Sequence, residues 1–328
     1  MLGVGMNPLY ILKEGILRRS GNTLYFVNKE GKKPLPINNV SDIYCFGKVS
    51  LKSGAISLLL KKNVPVHFFN KYGFYEGSLT PREKLVSGVI VVKQSEHYLD
   101  KKRRIEIAKE MISGIKHNVL KTLKYYRKKE KEIGTYIDAI EKITLGGESI
   151  QMVMGNESTI WNLYYKSFNG IIKNFKFKKR ERRPPTDEVN ALISFGNSLL
   201  YTTTLSEIYK TYLHPAISFL HEPLERRYSL ALDFADIFKP IIVERIIFQV
   251  INNRIISEED FDKNVGIYLN DKGKRKFLKA YDEKLITTIK HKTLKRKVSY
   301  RYLIRLEGYK LIKHILGDKK YESFKMWW

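Results

Sequence analysis

The sequence predicts an α+β fold of two domains: a small β-rich N-terminal domain with one embedded helix, then an all-α C-terminal domain. Two observations carry this. A length of 328 residues favours two domains, each with enough chain to bury a core. Hydrophobic patterning also changes once along the chain. Alternating and clustered β-branched and aromatic residues end near Leu79-Thr80-Pro81, and apolar spacing of three and four begins at about His97. The expected divisions are residues 1–80 for the β-domain, 81–96 for a linker or bridging strand, and 97–328 for the helical domain.

In the first segment the runs NTLYFVN, SDIYCFG, VPVHFFN and GFYEGSL read as strands. Turn residues separate them at Ser20-Gly21-Asn22, Lys29-Glu30-Gly31 and Lys71-Tyr72-Gly73. Ser53 to Lys62 has helical spacing instead. Cys45, flanked by Tyr44 and Phe46, reads as a small core residue. As the only cysteine it excludes an intrachain disulfide framework and a thiolate zinc site, and it suits a reducing cytoplasm. No run of about 18 apolar residues is present, so no membrane span is expected. The opening MLGVGMNPLYILKEG lacks the basic and apolar regions of a signal peptide. Met6 is the expected natural start, with residues 1–5 an extension.

Beyond His97, Ile105, Ala108, Met111, Ile112, Ile115, Val119 and Leu123 trace one helical face, and similar spacing continues toward the C-terminus. Pro184-Pro185 must lie in a loop, because proline lacks the amide donor and disfavours helix before it. Pro240 stands where a helix can begin. His221 is expected at the end of an apolar helical run.

The chain carries 60 Lys+Arg against 34 Asp+Glu, a net charge of +26. Such self-repulsion is tolerable where a polyanion neutralises it, which points to nucleic acid. A solubilising surface or a thermophile's charged coat is the alternative, but acidic residues do not rise in step with lysine. The densest basic segment, Lys173 to Pro185, holds Lys173, Lys176, Lys178, Lys179, Arg180, Arg182 and Arg183 around Phe175 and Phe177. It reads as a mobile loop tracking phosphates or as a solvated charge run. Lys124 to Glu132 carries both signs and suits an exposed helical face. Lys295, Arg296, Arg301 and Arg305 fall at helical spacing, as one basic face would. Phosphate-binding glycine loops, HExxH and GxSxG are absent, so ATP-driven and serine-hydrolase chemistry has no support. His67, His97, His117, His214, His291 and His314 are scattered without ligand spacing.

Chemistry concentrates at His221, Asp233 and Asp236. The two aspartates lie three apart among Leu, Ala and Phe, so on a helix both carboxylates share a face. Two oxygens and an imidazole suit a Mg2+- or Mn2+-like ion with positions open to phosphate. A helix-dipole aspartate and a core histidine explain the same spacing. Glu148 (in LGGES) and Glu157 (in MGNES) are both candidates for a third carboxylate. Glu157 is expected to open the helix-like run ESTIWNLYYKSF, as a buried ligand or as an exposed first-turn glutamate.

Three blocks together, MGNES at 154–158, RRPPTDEVNALISFGNSLLY at 182–201, and FLHEP followed by SLALDFADIFKP at 219–240, resemble the CRISPR-associated endonuclease/integrase family of spacer acquisition, the Cas one family. The β-region containing DIYCFGKVSL and VPVHFFNKYGFYEGSL, and PREKLVSG after it, are similar too. The resemblance implies an N-terminal β-sandwich-like domain and a C-terminal α-helical catalytic domain. It implies a homodimer that joins the small partner Cas two to handle double-stranded DNA, inserting short segments into a repeat array. Carried over by position, it implies Glu157, His221 and Asp236 as catalytic ligands of Mg2+ or Mn2+, with Asp233 as an acidic neighbour. Arg226 and Arg227 would join the basic loop in neutralising phosphates. The alternatives are a non-catalytic nucleic-acid-binding protein and a simple metal-dependent DNA repair nuclease.

Overall fold

A computed structural model describes residues 7–82, 85–127, 132–182, 184–225 and 228–328. Residues 1–6, with the expected start at Met6, and Arg183, Arg226 and Arg227 lie outside the described residues. The chain divides into two compact units, Met1–Lys84 and Leu85–Trp328.

The first unit contains β1 (Asn7–Ile11), β2 (Gly15–Ser20), β3 (Thr23–Asn28), β4 (Gly31–Leu35), β5 (Val40–Cys45), β6 (Val49–Leu51), α1 (Ser53–Lys61), β7 (Val66–Phe69) and β8 (Tyr75–Leu79). These make two four-stranded sheets, ordered β1-β5-β7-β8 and β4-β3-β2-β6. Alternation places Leu17, Leu24, Ile43, Cys45 and Val66 in one core with Leu58 and Leu59 of α1. The β2–β3 hairpin closes at Ser20 opposite Thr23, and Gly21 supplies the left-handed φ of 58° that this tight connection requires. Burial pushes the Cys45 thiol up to about 12, in keeping with an inert core residue.

The second unit is helical: α2 (Gly88–Leu99), α3 (Lys101–Arg127), α4 (Ile133–Glu141), α5 (Ile150–Lys166), α6 (Glu188–Ile208), α7 (Ser229–Phe238), α8 (Val243–Asn252), α9 (Asp271–Ile286) and α10 (Tyr300–Ile315). The strand-rich first unit and helical second unit make the chain α+β, as the change of periodicity predicts.

Three expectations are corrected here. The 81–96 linker instead contains most of α2, which Ser87 caps by accepting the Ile90 amide. Its β-branched VIVV run resembles a strand, but burial of Ile90, Gln94 and His97 selects the helical period. Nor is the second unit all-α. Two short ribbons occur, β9 (Phe261–Asp262) with β10 (Tyr268–Leu269), and β11 (Thr288–Lys290) with β12 (Lys297–Ser299). The β11–β12 turn places Lys295 at a φ of 54°, so Lys295 to Arg305 is not one helix. Finally, Arg301 and Arg305 point inward. Both clamp the fully buried Glu207 of α6, with Nε atoms 2.8 and 2.7 Å from its two oxygens. Burial alone would raise Glu207, but Lys210, Arg301 and Arg305 hold it down at about 2.

α6 is the central element, buried along almost its whole length. Gly196 lets it approach α8, since a Cβ there would lie 2.5 Å from Val243 Cγ1. Pro184-Pro185 lies outside regular structure, and Pro240 sits in a 3-10 turn, Lys239–Ile241, between α7 and α8.

Candidate metal centre

Three segments of the helical unit meet at the site. α5 contributes Glu157. Ser149 caps this helix by accepting the Met152 amide, so Glu157 lies two turns inside rather than at its start. It falls on the buried stripe Ile150, Val153, Glu157, Ile160 and Tyr164, and is 7 % exposed. Gly155, just before the expected start, occupies an open face of α5 where a Cβ meets nothing, so the helix runs through it. Glu148 is exposed and stands outside the cluster.

His221 lies on irregular chain between α6 and α7, not at the end of a helix. Pro215 and Pro223 flank it, and each disfavours helical backbone before it. What holds the segment is a set of buried partners. Gln94 bonds both backbone groups of His214 and the Ile217 carbonyl. Arg104 donates to the Phe219 carbonyl at 3.0 Å and pairs with Glu222 at 2.8 Å. Asp233, fully buried on α7, accepts three successive amides, from Phe219, Leu220 and His221. Asp233 therefore shapes the loop instead of capping its own helix.

The same carboxylate lies 2.8 Å from His221 Nδ1. With Nδ1–H donated there, Nε2 is directed toward Asp236 Oδ2, 3.8 Å away. Asp236, one turn beyond Asp233, is 3 % exposed. One donor atom each from Glu157, His221 and Asp236 fall within 4.8 Å of one another.

Two buried carboxylates this close cannot both ionise cheaply without a cation. Desolvation, then the neighbouring Asp236 charge, pushes Glu157 up to about 7. Burial would raise Asp236 too, but Lys239 and His221 hold it below the usual carboxylate range. Burial would depress His221, but its bond to Asp233 and the three surrounding acids raise it. The Lys239 ammonium rests against Asp236 Oδ1, standing where a cation is wanted. Trp161 Nε1 donates to Glu157 Oε1 at 3.0 Å, orienting the acid. The donor set, its charge excess and the ammonium beside it all fit a hard divalent ion.

Lys239 and Trp161 were missed in the sequence. Their signal is the i, i+3 step from Asp236 and the i, i+4 step from Glu157, spacings that meet on a helix.

Of the predicted basic residues, Lys176, Lys178, Lys179 and Arg182 are exposed. Arg180 is not free for phosphate: its guanidinium donates to the Glu181 carbonyl, Asn190 Oδ1 and Ser194 Oγ. Nor is the segment untethered. Asn169 bonds both backbone groups of Phe177, Asn174 holds the Ile251 carbonyl, and Asn190 holds the Lys179 carbonyl. Asparagines here supply the partners that irregular backbone lacks.

The family described as CRISPR associated protein Cas1 matches residues 9–283. A CRISPR-associated protein Cas1 of Methanobrevibacter ruminantium is 49 % identical over 321 residues, covering 97 % of this chain and 98 % of that one. A protein of Clostridium perfringens named CRISPR-associated endonuclease Cas1 is 47 % identical over 325 residues, covering 97 % and 98 %. The solved structure of a CAS1 protein from Thermotoga maritima superposes with a TM-score of 0.86 at 39 % identity, covering 97 % of this chain and all of that one. With matches spanning nearly its full length, the chain belongs to the Cas1 family of CRISPR-associated proteins.

Proposed function

We propose that this protein is a divalent-metal-dependent DNA endonuclease and integrase that inserts short double-stranded segments into a CRISPR repeat array. In this reading Glu157, His221 and Asp236 hold Mg2+ or Mn2+, and the helical unit Leu85–Trp328 carries catalysis. The protein acts as a homodimer together with the small partner Cas2. One observation supports the metal reading above others: three donor atoms from three separate segments converge in a largely buried cluster.

A bound divalent ion supplies Lewis-acid polarisation of a phosphodiester and stabilises the displaced oxygen, with a 3′-hydroxyl or water as nucleophile. Asp233 fixes the ring of His221 so that Nε2 is the ligand nitrogen, and Trp161 fixes Glu157. Lys176, Lys178, Lys179 and Arg182, with Arg183, Arg226 and Arg227, neutralise the approaching phosphates. Among the described residues, no helix is long and apolar enough to cross a membrane.

The test uses DNA ends, a plasmid bearing the repeat, and Mg2+ or Mn2+, with and without Cas2. Joined, branched DNA that disappears in Glu157→Ala, His221→Ala and Asp236→Ala supports the reading. Shortened fragments alone reveal a nuclease without strand transfer. Binding with no metal-dependent product, or strand transfer that survives all three substitutions, overturns it.

A further inference from the structure

Among the buried acids that the metal reading does not use, Glu244 has both carboxylate oxygens without a hydrogen-bond partner. It stands in the first turn of α8, fully buried. Buried acids normally have partners, because an unpaired one bears its whole desolvation cost. Burial pushes Glu244 up to about 7, and Lys239 is the foremost influence opposing that rise.

Lys239 is the other half of the observation. Its ammonium lies against Asp236 Oδ1 and 5.4 Å from the centroid of the Trp161 ring. Trp161 itself donates to Glu157. The ammonium thus occupies the neighbourhood of the donor atoms, and a divalent ion must compete with it for Asp236. A displaced ammonium that stayed in this largely buried position would repel the ion. Lysine's flexible four-carbon stem allows it to turn to a second acceptor nearby. Asp236 and Glu244 flank the short turn that carries Lys239, one at the end of α7 and the other at the start of α8.

Building on the metal reading above, we propose that Glu244 is a positioning residue of this centre, receiving the Lys239 ammonium when a divalent cation takes its place beside Asp236. Lys239 then neutralises Asp236 before metal entry and Glu244 afterwards. Glu244 acts on the ion only through Lys239.

A double-mutant cycle tests this on the full-length chain, with Mn2+ alone as the probe and unbound Mn2+ measured by electron paramagnetic resonance. Glu244→Gln removes the second acceptor, and Mn2+ binding is expected to weaken about tenfold, as for other supporting groups around a metal. Lys239→Met removes the competitor and is expected to bind Mn2+ more tightly than the parent chain. Adding Glu244→Gln to Lys239→Met changes affinity by less than about twofold, because nothing remains to be relocated. An equal loss in both backgrounds, or no loss in the single variant, overturns the proposal. If Glu244→Gln does not fold, Lys239→Met decides alone: tighter binding supports the exchange and weaker or unchanged binding overturns it. A parent chain with no Mn2+ site sensitive to Asp236→Ala overturns the metal reading and this proposal together. An intact site with an additive cycle overturns only the role of Glu244.

Discussion

Asp233 holds His221 twice through one oxygen: Oδ1 accepts the His221 backbone amide at 3.0 Å and lies 2.8 Å from ring Nδ1. A single carboxylate therefore sets both where the histidine stands and which nitrogen it offers. Asp233→Asn is expected to lower metal affinity by roughly 10–100-fold, the usual cost of losing a supporting partner. It should also destabilise the chain by about 1–3 kcal/mol, since it unsettles buried hydrogen bonds. Metal titration and chemical denaturation of the variant check the two effects separately.

The raised acid in the site makes metal-free stability depend on pH. Glu157 stands at about 7 in the folded chain against an ordinary 4.5, so between those values the folded state holds more protons than the unfolded one. Stability falls as pH rises through that window, by at most about 3 kcal/mol. His221, raised as well, stabilises below its ordinary range and loses that contribution as pH climbs through its folded value. Asp236, held low, acts with the opposite sign but only in more acid solution. The melting temperature of the metal-free protein should therefore drop from pH 5 to pH 8, and Glu157→Gln should flatten the drop. Mn2+ should restore more stability at pH 8 than at pH 5, because binding requires the deprotonated ligands. Thermal scans across pH, with and without Mn2+, decide.

Glu207 is a structural anchor. Glu207→Gln leaves Arg301 and Arg305, with side chains only 14 % and 28 % exposed, without their shared countercharge. A loss of about 3–5 kcal/mol is expected from breaking such a buried network on one side. Denaturant titration measures it. Arg301→Gln and Arg305→Gln should each lower stability while leaving the salt dependence of DNA binding unchanged.

The basic segment after α5 separates into two roles. Replacing Lys176, Lys178 and Lys179 together by alanine should reduce the slope of log K against log salt by about 0.9 for each phosphate no longer neutralised. Arg180→Gln should instead cost about 1–3 kcal/mol of stability, since its guanidinium ties Asn190 and Ser194 to the loop. Fluorescence anisotropy at several salt concentrations, beside thermal unfolding, tells the two apart.

Much of this was legible in the sequence because it depends on local pattern. Alternation and turn residues found β3, β5, β7 and β8 of the first unit, and the three-and-four spacing of Met111, Ile112, Ile115 and Val119 found the long buried face of α3. Errors arose where a local pattern admits two answers. VIVV favours a strand by residue type and a helix by burial. Glu157 reads as the opening of a helix until Ser149 is seen to cap α5 two turns earlier. The basic spacing of Arg301 and Arg305 describes a solvated face equally well as an inward clamp.

By itself the sequence determined the α+β class, the cationic excess, and the His221, Asp233 and Asp236 donor types on suitable spacing. Composition and periodicity are properties of neighbouring residues. Spacing left Glu148 and Glu157 open and the family resemblance implied Glu157 and Asp236, while the tertiary structure brings Glu157 to His221 and Asp236 and shows Asp233 gripping the loop. It alone brought Lys239 and Trp161 into the cluster, left Glu244 buried beyond it, and turned Arg180 inward. Those outcomes depend on which atoms meet when α5, the His221 loop and α7 pack together. Segments far apart in the chain carry no sequence signal of that meeting until the core brings them within reach.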